Sequence, residues 1–195
     1  MPAPPNRSDI RIDHLPYAGM LAARALGEVD LVVIHCTELP DLALARKFGE
    51  RVLYASSGTG NSGHYYIDRD ASIVEYVDPG HIAHHTRGYN ARSVGIELVN
   101  TGRYPDWLDS RRQAMDASYT SVQIDALINL LGDLSTQIPS LQLIAGHEDL
   151  DLEEVEASDD ALVKVRRKRD PGPQFPWQHV LAKVPLQRLA AAQHL

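Results

Sequence analysis

The hydrophobic positions of this 195-residue chain fall into short runs separated by polar and glycine-rich segments. Apolar, β-branched runs predict buried strands at 31–36 and 93–100. Two more such runs, 64–70 and 72–78, have a polar turn between them and predict a β-hairpin. The segment 56–63 is a loop by its composition of serine, glycine and asparagine.

The clearest helical pattern covers residues 121–138 and ends before Pro139. Its apolar side chains recur at spacings of three and four and form one stripe that faces a core: Ile124, Leu127, Ile128, Leu131, Leu134 and Ile138. Weaker helical patterns cover 40–53 and 176–184, and a short apolar run occupies 141–150. We therefore predict a single α/β domain with a mixed central β-sheet flanked by helices.

Two parts of the chain depart from this pattern. Residues 1–17 are Pro-rich and polar and predict a loosely packed segment, and residues 1–29 as a whole predict an N-terminal arm packed on or leading into a domain at 30–195. Residues 148–160 contain eight acidic side chains, and a basic run follows at 164–169. Repulsion among like charges disfavours packing, so we expect a solvated charged insertion at about 149–167. The sequence leaves open whether it is an ordered lid or a disordered loop.

Composition narrows the class of function. The net charge of −7 argues against nucleic acid as the main partner, because such proteins usually carry a basic surface. Cys36 is the single cysteine, which excludes an intrachain disulfide framework, and we expect it to be buried. The chain has no apolar run long enough for a membrane span and no signal-peptide pattern near its start. We therefore expect a soluble cytoplasmic protein.

Three residues form a candidate metal set. His35 and His147 each follow an apolar run, where a histidine lies at the rim of a sheet, and Asp170 is held in an extended turn by the prolines that follow it. Three protein ligands with one open position are typical of catalytic zinc. The spacing is long and irregular, however, and each histidine alone is more often structural, so the pattern itself leaves the metal open.

Six sequence blocks add a family resemblance. In chain order they are VVIHCT (32–37), GHYYIDRDASIVEYV (63–77), AHHTRG (83–88), NARSVGIEL (90–98), LIAGHEDL (143–150) and KRDPGP (168–173). Together they resemble the zinc-dependent N-acetylmuramoyl-L-alanine amidases, the family of AmpD-like enzymes, phage amidase lysozymes and peptidoglycan recognition proteins. The likeness runs from about residue 30 to 183, and all six blocks are in the family order.

The resemblance implies a role for five residues. His35, His147 and Asp170 match the ligands of one Zn²⁺ per chain. Glu97 matches the acidic residue that activates or positions the attacking water in AmpD-like enzymes. Lys168 matches the lysine that stabilises the developing oxyanion.

Further positions are assigned by weaker matches. Gly63 stands where other members of the family have a catalytic tyrosine, so the resemblance favours the AmpD-like branch, with Glu97 as the base. His85, Asn90 and Arg92 match positions near the substrate cleft and are predicted to bind substrate. His64 is placed in the same substrate-binding set, although the matching position is more often structural.

The resemblance also implies a reaction. The expected activity is hydrolysis of the amide between the lactyl group of N-acetylmuramic acid and L-alanine, in a muropeptide or peptidoglycan fragment. With no export signal, we expect peptidoglycan recycling on soluble anhydro-muropeptides by a cytoplasmic enzyme. We favour a monomer, although the sequence leaves the oligomeric state open.

Two alternatives remain. A peptidoglycan recognition module without catalysis is one, although Asp170, Lys168 and Glu97 are all present. An autolysin or phage-type lysin that degrades intact wall is the other.

Overall fold

The fold is built on a seven-stranded mixed β-sheet in a computed structural model that describes residues 10–189. Its strands are β1 (Ile10–Ile12), β2 (Leu31–Cys36), β3 (Tyr65–Ile67), β4 (Ile73–Glu75), β5 (Ser93–Leu98), β6 (Leu143–Gly146) and, after a separate pair, β9 (Gln187–Arg188). The order across the sheet is β1-β4-β3-β5-β2-β6-β9. The separate antiparallel pair consists of β7 (Glu154–Glu156) and β8 (Lys164–Arg166).

Four α-helices accompany the strands within residues 10–189: α1 (Leu42–Gly49), α2 (Ser121–Gln137), α3 (His147–Leu150) and α4 (Trp177–Leu181). The long helix α2 confirms the prediction for 121–138. It begins where the Thr120 hydroxyl accepts a hydrogen bond from the Gln123 backbone N–H at 3.2 Å, which satisfies one of the free donors at the helix start. No helix of the described residues is long and apolar enough to cross a membrane.

The two faces of the central sheet have different roles. Alternate residues of β2 point to opposite faces, and Val32 and Ile34 pack with α2 residues such as Leu127 in the main core. Leu31 and Val33 belong to a separate, smaller apolar cluster. By the same alternation, His35 lies on the face opposite α2.

The strand register brings distant residues together. The strands β2 and β5 are parallel with His35 opposite Glu97, and β2 and β6 are parallel with Ile34 opposite Gly146. Carboxyl ends of parallel strands share one edge of a sheet, which is the usual place for a ligand in α/β folds. His147 follows β6 directly, so it meets His35 and Glu97 at this edge.

The predicted fold class is confirmed, and so is the hairpin, since β3 and β4 pair antiparallel. The prediction that residues 1–17 are loosely packed is wrong for the described residues 10–17. The strand β1 pairs with β4, and Leu15 and Tyr17 are buried. The Tyr17 hydroxyl donates a hydrogen bond to the Gly49 carbonyl at 2.6 Å, which ties the arm to α1. Residues 1–9 of the predicted arm and 190–195 of the predicted domain lie outside the described residues.

The charged insertion is an ordered hairpin formed by β7 and β8. Its like charges are neutralised locally, because Arg167 pairs with both Asp151 and Glu153. At its tip, the Ser158 backbone N–H donates to the Leu108 carbonyl at 2.8 Å. Most of its residues are exposed, in agreement with a solvated insertion, and the question of order that the sequence leaves open is answered by an ordered hairpin attached to the irregular segment 101–116.

Packing of α2 predicts a stability difference between two positions on one helix. Leu127 is fully buried, so Leu127→Ala should lower the free energy of unfolding by about 3 kcal/mol through lost transfer energy and a residual cavity. Val122 is 50% exposed, and Val122→Ala should change it by less than about 0.5 kcal/mol. Urea unfolding followed by circular dichroism measures both, and equal effects would contradict the assigned core face.

Candidate functional site

Three of the predicted site residues converge on one point. His35 Nδ1 lies 2.9 Å from Asp170 Oδ2, and His147 Nδ1 lies 3.1 Å from the same oxygen. One potential ligand atom from each residue lies within 4.8 Å of the others. The structure therefore brings the end of β2, the start of α3 and the turn after β8 to a single site.

The chemistry of these three residues fits a zinc ion. Two imidazole nitrogens and a carboxylate oxygen are ligands that Zn²⁺ takes in catalytic sites, where a fourth position stays open. All three side chains are almost fully buried, with residue exposures of 2–3%. The second oxygen of Asp170, Oδ1, is buried and has no hydrogen-bond partner among residues 10–189. A buried carboxylate without full hydrogen bonding is costly, and a cation compensates that cost.

Electrostatics favours the metal-binding forms of His35 and Asp170. Burial, with a further contribution from the nearby His147, lowers the pKa of His35 to about 4, so His35 is neutral near pH 7. Burial alone would raise the pKa of Asp170, but the interaction with His147, with a smaller contribution from Lys168, outweighs burial and holds that pKa well below its ordinary value. A neutral imidazole and an ionised carboxylate are the forms that bind a metal.

Glu97 is placed beside this set. One carboxylate oxygen of Glu97 lies 4.0 Å from His35 Nδ1, as the strand register requires. Burial and, to a smaller extent, the charge of Asp170 raise the pKa of Glu97 to about 8 against the opposing charge of Lys168. A cation at the site would also favour the ionised form.

The position of the Glu97 side chain depends on the absence of a side chain at Gly63. A Cβ atom at Gly63 would lie 2.9 Å from Glu97 Cγ and 3.2 Å from the Gly95 carbonyl oxygen. Carbon atoms do not approach that closely without displacement, so Glu97 keeps this position only while residue 63 has no side chain. The glycine that stands in place of the family's tyrosine therefore makes room for the acidic residue.

All five predicted metal and catalytic residues line one cleft with a volume of about 610 Å³. Phe48 and Trp107 also line it, with ring centroids 6.2 Å apart in an edge-to-face arrangement. The cleft thus combines a polar, metal-binding part with an aromatic surface, as small-molecule sites commonly do.

The segment that carries Lys168 is held by a buried ion pair. Arg103 Nε lies 2.7 Å from Glu38 Oε1, with side-chain exposures of 1% and 8%. Arg103 also donates hydrogen bonds to the carbonyls of Arg166 at 3.0 Å and Arg167 at 3.3 Å. Removing one partner of such a pair would leave a buried charge uncompensated. The ion pair therefore fixes the backbone directly before Lys168.

The predicted substrate-binding residues divide into two groups. His85 and Asn90 line the cleft. The Asn90 side-chain oxygen accepts backbone hydrogen bonds from His85 at 3.0 Å and Thr86 at 2.7 Å, so it shapes the loop that carries His85.

Arg92 and His64 are not among the residues that line the cleft. Arg92 forms an ion pair with Asp30. His64 is fully buried, accepts a hydrogen bond from the Gly95 backbone N–H at 3.0 Å, and lies 3.0 Å from an Arg24 nitrogen. Burial, with a further contribution from Arg24, lowers the pKa of His64 to about 3. The structure gives both residues structural partners at the sheet.

Sequence reasoning missed several residues of the cleft. The chain has only two Phe and two Trp residues. Because Trp107 is one of these few and lies in an irregular segment, it is a usable sequence signal for the aromatic surface. The pair of Glu38 and Arg103 had no such signal, since both residues lie in connections far apart in the sequence.

The chain is similar to known proteins in both sequence and fold. The sequence model of the family described as N-acetylmuramoyl-L-alanine amidase (Amidase_2) matches residues 25–173. An endolysin of Klebsiella phage KP32 is 32% identical over 85 residues, which are 44% of this chain and 52% of the endolysin. The chain therefore spans about half the length of this curated relative.

Solved structures are also similar. A selenomethionine derivative of AmpD has a TM-score of 0.64 and 25% identity, covering 91% of this chain and 95% of that chain. The N-acetylmuramyl-L-alanine amidase AmiD from E. coli, solved with the substrate anhydro-N-acetylmuramic acid-L-Ala-D-γ-Glu-L-Lys, has a TM-score of 0.60 and 24% identity. The matched region covers 83% of this chain and 59% of the AmiD chain.

The site predicts zinc binding that depends on Asp170. Zn²⁺ should raise the melting temperature of the wild-type protein, because a ligand that binds only the folded state stabilises it. Asp170→Ala should lose most of this rise, since two histidines alone form a weak site. Asp159→Ala, at the exposed hairpin tip, should keep it. An Asp170→Ala protein that zinc stabilises as much as wild type would exclude Asp170 as a ligand.

Proposed function

The chain belongs to the N-acetylmuramoyl-L-alanine amidase family, and from this membership we propose that it hydrolyses the lactyl–L-Ala amide of muropeptides with one zinc ion. The observation that carries the proposal is the convergence of His35, His147 and Asp170 beside Glu97 and Lys168 in one cleft. A recognition module without catalysis would not need an acidic residue and a lysine at the same point. This arrangement therefore favours the enzyme over the binding module.

The proposed zinc site accounts for the buried acceptors. A zinc ion held by His35, His147 and Asp170 would polarise the scissile carbonyl and ease deprotonation of the attacking water. Two of the proposed ligands lie on regular elements, His35 on β2 and His147 on α3, and Asp170 lies in the turn after β8.

Glu97 is assigned the role of general base and then general acid. Its carboxylate takes a proton from the water whose oxygen attacks the amide carbon. When the C–N bond breaks, Glu97 returns that proton to the leaving amine of L-alanine. Its raised pKa suits this second step, because a carboxyl group with a pKa near neutrality can hold the proton at pH 7 until the leaving amine takes it.

Lys168 is assigned to charge stabilisation. Lys168 lines the cleft together with the proposed ligands, and its positive charge lowers the pKa of both Glu97 and Asp170, which supports this assignment. A cation there stabilises negative charge that develops on the carbonyl oxygen only in the transition state. The ion pair of Glu38 and Arg103 holds the adjoining backbone and so limits the motion of this group.

Two substrates are compatible with the cleft. Similarity to AmpD and AmiD over most of the chain supports a soluble anhydro-muropeptide, the form named for the AmiD complex. Similarity to the phage endolysin supports intact wall as the second candidate. Cytoplasmic recycling is proposed with the first substrate, and lysis goes with the second.

Mass spectrometry of anhydro-muropeptide incubated with the protein tests the reaction. We expect release of a peptide that starts at L-alanine, loss of release with a chelator, and recovery on addition of zinc. Purified wall sacculi in a parallel reaction distinguish the two substrates. Absence of peptide release from both substrates by the zinc-loaded protein would refute the proposed activity.

Glu97→Gln tests the base. The amide has nearly the same shape but accepts no proton, so turnover should fall by about 10²- to 10⁴-fold, with zinc affinity nearly unchanged. Glu156→Gln on the exposed strand β7 is the matched control and should keep turnover. Peptide release by chromatography and zinc binding by chelator competition measure the two quantities. Near-normal turnover of Glu97→Gln would assign the base to another group.

A further inference from the structure

We propose that His85 is a positioning residue that fixes the proton of His35 on Nε2 and thereby directs the Nδ1 lone pair of His35 to the metal. This inference rests on the proposed zinc site and adds a residue that controls it. The role differs from the substrate contact predicted for His85 from the sequence.

The position of the first proton is fixed by a backbone carbonyl. The Ser93 hydroxyl lies 2.8 Å from the Tyr89 carbonyl oxygen, and a carbonyl only accepts, so Ser93 donates its proton there. Ser93 Oγ also lies 3.2 Å from His85 Nε2. With its own proton used, Oγ accepts from His85, and the proton of a neutral His85 is therefore on Nε2.

The second step passes from His85 to His35. With Nε2 protonated, His85 Nδ1 is an acceptor, and it lies 3.0 Å from His35 Nε2. His35 therefore donates from Nε2. The Thr86 hydroxyl lies 3.0 Å from His85 Nδ1 and 3.4 Å from His35 Nε2. It can donate to the first or accept from the second, so it agrees with the same proton positions.

The consequence appears at the metal set. A neutral His35 with its proton on Nε2 has a lone pair on Nδ1, the atom 2.9 Å from Asp170 Oδ2. Two acceptors at this distance repel each other unless a cation lies between them. Fixing one ring nitrogen by a hydrogen bond is how proteins set the tautomer of a histidine that binds metal through the other.

The ring of His85 is held firmly in this orientation. A Cβ atom at Gly95 would lie 2.7 Å from His85 Cγ, so the ring packs directly on the glycine of β5. The His85 and His35 rings meet edge to face with centroids 5.1 Å apart. Both nitrogens of His85 have protein partners, which leaves neither free as the primary contact for a substrate.

Two substitutions at position 85 test the inference by zinc affinity, measured by competition with a chelator of known affinity. His85→Ala removes the acceptor and should weaken zinc binding by about 10- to 100-fold, the usual effect of losing such a partner. His85→Asn keeps an oxygen near the position of Nδ1 and should restore most of the affinity. The matched control is His84→Ala, which alters the neighbouring histidine of the same cleft and should leave zinc affinity unchanged.

A double-mutant cycle of Ser93 and His85 distinguishes a role of the hydrogen-bond chain from Ser93 through His85 to His35, here called the relay, from a role of simple packing. Ser93→Ala removes the acceptor for His85 Nε2 and should weaken zinc binding by less than His85→Ala does. In the double variant the loss should equal that of His85→Ala alone, because Ser93 acts through His85. Nitrogen chemical shifts of the histidine rings should show His35 protonated on Nε2 in wild type and a mixed population in His85→Ala.

The outcomes are distinguishable. Unchanged zinc affinity in a folded His85→Ala protein, with only a raised KM, would overturn the inference and return His85 to substrate binding. Equal losses in His85→Ala and His85→Asn would also overturn it, because packing rather than the acceptor would then matter. A wild-type protein without zinc affinity would overturn the proposed zinc site and this inference together.

Discussion

Parallel pairing of β2 with both β5 and β6 is the constraint on which the site depends. It sets His35 opposite Glu97 and Ile34 opposite Gly146, so that the next residue, His147, reaches the same edge of the sheet. A shift of the register by one residue would turn these side chains to the other face, where α2 packs on the core. The apolar contacts of α2 therefore hold the polar groups in place, although they lie on the opposite side of the sheet.

The site holds several hydrogen-bond acceptors that repel one another, and the surrounding fold keeps them together. Neutral His35, ionised Asp170 and Glu97 with a raised pKa bring several acceptors together in a buried volume. Such arrangements occur where a function requires them and stable surroundings maintain them. Here Lys168 supplies one fixed positive charge, and a metal cation would supply the rest. The same conflict explains why one oxygen of Asp170 has no protein partner among the described residues.

Much of the fold followed from local patterns, because α2 and the buried strands have strong periodicity. The strand β1 was missed because three residues between polar neighbours carry too little signal. The hairpin of β7 and β8 was undetermined because its stability comes from pairing of Arg167 with acids close in space, which composition alone does not reveal. The five metal and catalytic residues were assigned by resemblance. The relay through His85 was beyond prediction, since it depends on the position of a proton set by a carbonyl at Tyr89.

The charged insertion is connected to the chemistry through Arg103. This arginine pairs with Glu38 just after β2 and donates to the backbone at the end of β8, directly before Lys168. The hairpin tip, in turn, is bonded to the segment that carries Trp107, through Leu108. One wall of the cleft, the insertion and the proposed catalytic lysine are therefore linked by hydrogen bonds and one buried ion pair. Changes in the outer part of the hairpin can alter the aromatic end of the cleft while the buried ion pair keeps Lys168 in place. The exposed tip of the hairpin and the proposed catalytic Lys168 after its base thus belong to one segment, with loop surface at one end and the anchored backbone at the other.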